Sequence, residues 1–312
     1  MKSSHSHFND QTNHAIRRLA LSLGITLAFV FVEVIYGLLA NSLALLTDAA
    51  HNFTDVLALG LSWWALRLAT RPSHARRTYG NHRAGILVAL VNSTTLVIIA
   101  IGIFYEAYRR FLAPPEIRAG LMITVGVLAV FVNLATALLV RQGSQHDLSM
   151  RSAFVHLMGD VLSTLGAVIG GVIILYTGLN WIDPLVSVLI GFLILWNAWG
   201  IIREAIDILM EATPSDIDID SMLLDLQTVK GVRGVHDLHV WSINQSMRTL
   251  SAHILTEDIS ISSGVAIQED LADLLSRKYR VSHATLQLEC EGCNPSVLYC
   301  ELTDQTPLNL NL

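Results

Sequence analysis

Two stretches of the chain place a histidine and an aspartate four residues apart inside otherwise apolar sequence: His51 and Asp55 in "LLTDAAHNFTDVLAL", and His156 and Asp160 in "RSAFVHLMGDVLSTLGA". On a helix, positions i and i+4 share a face about one turn apart, so each stretch presents an imidazole and a carboxylate together. Two such helices facing one another offer two neutral nitrogen and two anionic oxygen donors, the ligand set of a tetrahedral divalent-metal site. The two carboxylates neutralise a dication, which lowers the cost of keeping charge in an apolar medium. A lone histidine or aspartate in an apolar helix is as often a hydrogen-bonding group as a ligand, but independent packing needs do not repeat the same pair. Asp48 shares the His51 face three residues earlier. Its counterpart in the second stretch is Ala153, so Asp48 is expected behind the ligands, as a hydrogen-bond acceptor to a ligand histidine. Glu33 and Asn133 are expected as hydrogen-bond partners between helices.

The elements carrying these residues read as membrane spans. Of 312 residues 52% are hydrophobic and 15% charged, and a mean hydropathy of +0.50 is far from a soluble composition. A helix needs about 20 apolar residues to cross roughly 30 Å of hydrocarbon. Six segments qualify, at 17–39, 43–69, 83–108, 118–141, 150–177 and 182–204. Lys2, Arg17 and Arg18 before the first span, Arg67, Arg71, Arg76, Arg77 and Arg83 after the second, Arg141 and Arg151 after the fourth, and Arg203 after the sixth put both termini on the cytoplasmic side. Arg109, Arg110 and Arg118 on the opposite side weigh against that orientation without reversing it.

From Ala212 the pattern changes. "SDIDIDSMLLDLQTVKGV" reads as a helix capped at Ser215 or Asp216, "VHDLHVWSI" and "MRTLSAHIL" as strands, "SGVAIQEDLADLLSRKY" as an amphipathic helix and "HATLQLEC" as a third strand. The order αββαβ implies a small α+β domain with both helices on one face of a sheet. The net charge of −6 sits here: residues 211–312 hold 6 Lys and Arg against 15 Asp and Glu. An acidic balance argues against nucleic acid as a partner. Cys290, Cys293 and Cys300 are too few and too clustered for a disulfide framework, and reduced thiols able to bind metal are expected. The polar opening "MKSSHSHFNDQTNHAI" has no signal-peptide core and is expected to be retained. His5, His7 and His14 on it could capture metal weakly, a role weighed evenly against a dispensable tail.

These residues together resemble the cation diffusion facilitator family, in its zinc-type branch of bacterial zinc and cobalt–zinc–cadmium exporters and animal zinc transporters. The resemblance rests on "VEVIYGLLANSLALLTDAAHNFTD", "RRTYGNHRAGILVALVN", "HLMGDVLSTLGAVIGG" and "GVHDLHVWSI…LSAHI…HATLQLE", and covers nearly the whole chain. It implies an α-helical membrane protein of six transmembrane helices, a C-terminal cytoplasmic αββαβ domain of metallochaperone-like type, and a homodimer in a bacterial inner membrane. Residues 1–16 would be a flexible arm, 17–207 the transport domain and 208–312 the regulatory and dimerisation domain. The transport site falls on His51, Asp55, His156 and Asp160. A histidine at position 51 points to Zn²⁺, since imidazole suits zinc better than metals that favour all-oxygen sites, with Cd²⁺ and Co²⁺ still admissible. The implied activity is export of Zn²⁺ from the cytoplasm by antiport with protons.

In the C-terminal domain, His236, His253 and Glu289 match positions that hold regulatory zinc in the family, with His283 and Cys293 close enough in sequence to join them. His239, three residues after His236, is expected on the opposite sheet face by strand alternation. The loop "RPSHARRTYGNH" offers His74 and His82 but interposes Arg76 and Arg77, so it is expected to face anionic lipid or a partner subunit in preference to building a metal site. The rival to a transporter is a membrane-anchored metal sensor, which has no need of a ligand quartet at membrane depth. An enzyme is disfavoured, because four protein ligands leave no open position for water and no GxSxG, HExxH or P-loop occurs.

Overall fold

The computed structural model describes residues 24–141 and 148–290, and they form two compact units. One unit ends at Arg67 and resumes over Leu87–Ile202; the other joins Leu68–Ile86 to the chain from Arg203 onward. The loop after the second span therefore belongs with the C-terminal unit.

The first unit is built from helices α1 (Gly24–Ala40), α2 (Leu43–Ala69), α3 (Ala84–Leu112), α4 (Ala119–Arg141), α5 (Leu148–Thr177) and α6 (Ile182–Leu209). By length and composition α3 to α6 each suffice to cross a membrane. The described part of α1 is shorter, and α2, 27 residues long, has its apolar run interrupted by Asp48, His51 and Asp55. Large side chains facing outward from this unit are apolar, Phe31, Ile98, Ile101 and Phe192 among them, as a protein solvated by lipid requires. Tyr105, Tyr108, Tyr176 and Trp181 stand where α3 and α5 finish and α6 begins; Trp63, Trp64, Trp196 and Trp199 stand toward the C-terminal ends of α2 and α6.

Local chemistry sets the hairpin that delivers α2. Asn41 takes a left-handed conformation (φ 57°), Ser42 N–H donates to the Gly37 carbonyl at 3.0 Å and Asn41 N–H to Leu38 at 3.2 Å, the bond pattern of a Schellman cap with asparagine in the left-handed position. Apolar packing of Phe29, Ala44, Leu45, Met122, Val125, Ala129, Ala167 and Ile174 joins α1, α2, α4 and α5; a separate cluster of Leu96, Ile190, Ile194 and Ala198 joins α3 to α6. Gly126 lets α4 and α5 approach closely: a Cβ there would lie 2.8 Å from Val168 Cγ2.

In the second unit, helix α7 (Ile219–Gln227), strands β1 (Gly234–Asn244) and β2 (Met247–Leu255), helix α8 (Ile261–Tyr279) and strand β3 (Val281–Glu289) follow in the expected αββαβ order. The sheet order is β1-β2-β3, with β1 antiparallel and β3 parallel to β2. Met222 and Leu226 of α7 and Leu271 and Leu275 of α8 pack with Val235, Leu238, Leu250 and Ile254 of the sheet into one core. Helix α7 starts later than its sequence suggests. Asp218, and neither Ser215 nor Asp216, is the cap, accepting from the N–H groups of Asp220 and Ser221 at 3.0 and 3.2 Å. Asp216 is engaged elsewhere: Arg248 Nη2 donates to both its oxygens at 2.8 Å and holds its carboxyl below the usual carboxylate range.

Candidate metal centre

His51 on α2 and Asp160 on α5 meet across the helix pair, with His51 Nε2 3.3 Å from Asp160 Oδ1 and 3.6 Å from Asp55 Oδ2. Ligand atoms of His51, Asp55 and Asp160 all lie within 4.8 Å of one another, close enough to share one ion. His51 and Asp160 are buried and Asp55 half-buried. Two carboxylates around one imidazole make an anionic pocket, which a divalent cation would neutralise. His156 is on α5 one turn before Asp160, and its side chain lies outside the described residues.

Asp48 supports this cluster by a route the spacing did not suggest. Expected to accept from a ligand histidine, it instead has its Oδ2 2.9 Å from Thr164 Oγ1 on α5, and the Thr164 hydroxyl is also 2.8 Å from the main-chain oxygen of Asp160. Asn133 of α4 donates to the same hydroxyl at 3.1 Å, and Asn52 of α2 donates to Glu33 Oε2 on α1 at 3.3 Å. Glu33 and Asn133 are thus interhelical hydrogen-bond partners, as expected. Thr164 and Asn52 carried no signal in the sequence, because single hydroxyls and amides are common in membrane helices.

The N-terminus of α2 is fixed from another helix. Asp183, buried in the first turn of α6, accepts from Ser42 Oγ at 2.6 Å, Leu43 N at 2.7 Å and Ala44 N at 3.2 Å, so its carboxylate satisfies donors that a helix start leaves open. Arg110 Nη1 of α3 stands 3.6 Å from the same carboxylate and donates to the Asn41 carbonyl at 2.7 Å. A charged residue opening an apolar helix was the available clue to Asp183.

A second cluster occupies the sheet of the C-terminal unit. His236 of β1 pairs directly with His253 of β2, their rings 5.2 Å apart at 81°. Glu289 at the end of β3 closes the group, with Oε2 3.2 Å from His236 Nε2 and Oε1 3.0 Å from His253 Nδ1. These residues offer ligand atoms within 4.8 Å of one another, yet both His236 nitrogens, His253 Nδ1 and Glu289 Oε2 are buried without a hydrogen-bond partner of good geometry. Buried nitrogens converging on a carboxylate and left without hydrogen bonds are the donor set a metal ion satisfies.

Several expectations for this cluster change. His283 is on the same sheet face but pairs with Thr249, whereas Gln287 is the residue beside His253, so His283 stands four positions along β3 from the cluster. It packs edge-on against Tyr79, ring centroids 6.1 Å apart, and with His82 lines a separate cavity of about 780 Å³. Alternation misplaced His239. A register shift between His236 and His239, with Asp237 at φ 50°, absorbs an extra residue, so His236 opposes His253 and His239 opposes Ser251 on one face. His239 Nε2 is 3.0 Å from Asp237 Oδ1, and Asp237 Oδ2 is 3.7 Å from His253 Nε2. Cys293, like His5, His7 and His14 of the N-terminal arm, lies outside the described residues; Cys290 is exposed. In the loop of the second unit, His74 Nδ1 accepts from the Arg76 N–H and Arg77 donates to Asn81, and neither His74 nor His82 joins a metal-sized cluster among the described residues.

Comparison with known proteins also divides the chain in two. The cation efflux transmembrane domain matches residues 19–210, and the cytoplasmic domain of cation efflux proteins matches 214–291. The chain is 33% identical over 293 residues to the metal cation efflux system protein CzcD of Cupriavidus metallidurans, covering 94% of this chain and 92% of that one. It is 33% identical to a cadmium, cobalt and zinc/H⁺-K⁺ antiporter of Bacillus subtilis, covering 93% of each, and 34% identical to the zinc transporter ZitB of Escherichia coli, covering 94% of each.

Proposed function

The chain belongs to the cation efflux family, and from that premise we propose that it exports Zn²⁺ from the cytoplasm in exchange for protons, with His51, Asp55, His156 and Asp160 as the transport ligands. The observation that carries this reading is the meeting of His51, Asp55 and Asp160 between α2 and α5. Similarity to proteins named for zinc, cadmium and cobalt supports the metal, and two imidazoles in the ligand set favour zinc among them. A membrane-anchored sensor has no feature in its favour here. The chain is a multi-pass membrane protein; in our reading it sits in a bacterial inner membrane as a homodimer with both termini in the cytoplasm.

Ligand chemistry couples the two ions. An imidazole, with a reference pKa of about 6.5, must shed its proton before it can bind metal, so protons and zinc compete for the same nitrogens. When the site opens to the cytoplasm the histidines deprotonate and zinc loads. When it opens to a more acidic exterior they are protonated and zinc leaves. Everted vesicles carrying the protein and a luminal pH probe test this: zinc uptake alkalinises an acidified lumen, and collapsing the proton gradient removes uphill uptake. Uphill uptake that persists without any ion gradient would overturn antiport.

The cluster of His236, His253 and Glu289 is read as a regulatory zinc site of the dimer. Replacing His253 and Glu289 together is expected to lower zinc binding by the purified protein by one ion per subunit and to shift the zinc dependence of dimer stability, with the metal ranking of transport retained. Identical zinc titrations of the variant and the parent protein would remove the regulatory assignment.

A further inference from the structure

One hydroxyl between the metal-bearing helices has more acceptors within reach than it has protons. Thr164 of α5 is 0% exposed. Its Oγ1 accepts from Asn133 Nδ2 of α4 at 3.1 Å, and it stands 2.9 Å from Asp48 Oδ2 of α2 and 2.8 Å from the Asp160 main-chain oxygen. Thr47, Thr94, Thr95, Thr124 and Thr177 make the same bond to the carbonyl four residues earlier, at 2.6–2.9 Å, and among the described residues none of their hydroxyls reaches a second helix.

A hydroxyl carries one proton and two lone pairs. Asn133 takes a lone pair, so the proton is left with two acceptors, one inside α5 and one on α2. The Asp160 carbonyl is served by the main-chain N–H of Thr164 in the helical ladder whichever way the hydroxyl turns. Asp48 has less to spare, because its other oxygen, Oδ1, is buried without a hydrogen-bond partner. Stranding a buried acceptor costs more than losing a second bond to a satisfied one, so the proton belongs to Asp48 and its bond joins two helices. That bond has a fixed place relative to the ligands. Asp48 precedes His51 by three residues and Thr164 follows Asp160 by four, so the Asp48–Thr164 and His51–Asp160 contacts stack one turn, about 5 Å, apart along helices running in opposite directions. So close to the site, the distance between α2 and α5 at Thr164 sets the distance between the ligands.

We propose that Thr164 is a positioning residue of the metal site: its hydroxyl, held from α4 by Asn133, ties α5 to α2 through Asp48 and keeps His51 and Asp160 at a separation that suits Zn²⁺ better than a larger dication such as Cd²⁺. Thr164 acts through the helix that carries Asp160, and the proposal rests on His51 and Asp160 being transport ligands. Releasing the tie lets α2 and α5 part. That costs zinc, with its short bonds to nitrogen and oxygen, more than it costs cadmium with its longer ones.

The test is the concentration dependence of Zn²⁺ and Cd²⁺ uptake into everted vesicles carrying the full chain. Thr164→Val keeps the branched shape and removes the hydroxyl; Thr164→Ser keeps the hydroxyl. The valine variant is expected to raise the KM for zinc by roughly 10–100-fold, the usual cost of losing a group that orients a metal ligand, and to raise the KM for cadmium by less. Serine should bring both back to within ~3-fold of the parent, since it restores the hydrogen bond. Neither KM nor the zinc-to-cadmium ratio depends on how much protein is folded, so a purely structural role for Thr164 would leave both unchanged. Should Thr164→Val not fold, combining it with Asp48→Leu makes both sides of the contact apolar, which is far less costly than stranding one, and carries the same measurement. Parent values of the zinc KM or of the zinc-to-cadmium ratio in the valine variant, or a serine variant no better than valine, overturn the positioning role alone if His51→Ala has lost uptake. Uptake that survives His51→Ala overturns the ligand assignment and the proposal with it.

Discussion

Replacing Asp160 with alanine is expected to reduce zinc uptake into everted vesicles by at least ~100-fold, because removing a ligand costs more than the roughly 10–100-fold that loss of a ligand's hydrogen-bond partner costs. Asp160 Oδ1 lies 3.3 Å from His51 Nε2, so its carboxylate is the α5 contribution to a cluster otherwise held by α2. Without it the two helices share no anionic ligand, and a dication entering the pocket keeps more of its uncompensated charge. His51→Ala should behave alike for a different reason, the loss of the only imidazole described in the cluster. Both variants should elute and melt as the folded protein does, since neither residue belongs to the apolar packing that joins α1, α2, α4 and α5. Uptake at the parent rate in either variant would remove these residues from the ion path.

The second large effect is expected on stability. Asp183→Ala strips the acceptor from Ser42 Oγ and from the N–H groups of Leu43 and Ala44, and leaves Arg110 with Glu106, 3.1 Å from its Nε, as its remaining carboxylate. A buried donor left unsatisfied costs about 1–3 kcal/mol, so losing the shared acceptor of three donors exceeds the ~1 kcal/mol of an ordinary helix cap. Asp183→Asn keeps one acceptor oxygen and should fall between the parent and the alanine variant. Thermal unfolding of the detergent-solubilised protein measures both, and an alanine variant that melts with the parent would show that Asp183 is not the anchor of α2. Transport should decline in step with the folded fraction, because the cap orients the helix that carries His51 and Asp55.

Part of this organisation was legible from residue order. The αββαβ tail announced itself through a change of hydrophobic period, and α3 to α6 through apolar length. The repeated His and Asp spacing singled out His51, Asp55 and Asp160 because helical periodicity is a local property that needs no partner to be read. The start of α7 was misjudged because a cap depends on which aspartate is free: Asp216 and Asp218 look alike in sequence, and Arg248, 32 residues away, engages the first. His239 was misplaced because strand alternation assumes an unbroken ladder, and the bulge at Asp237 inserts a residue that reverses the faces beyond it.

What the sequence determined by itself was the type of each element and the chemistry of the donors, since both follow from side chains a few positions apart. Tertiary structure alone decided which donors converge. Glu289 and not His283 closes the sheet cluster because the parallel register sets Gln287, and not His283, beside His253. Asp48 answers to Thr164, and Asp183 caps a helix that begins 140 residues earlier. Such contacts arise from helix crossing and strand register, which place residues far apart in the chain within hydrogen-bond reach and leave no trace in local spacing.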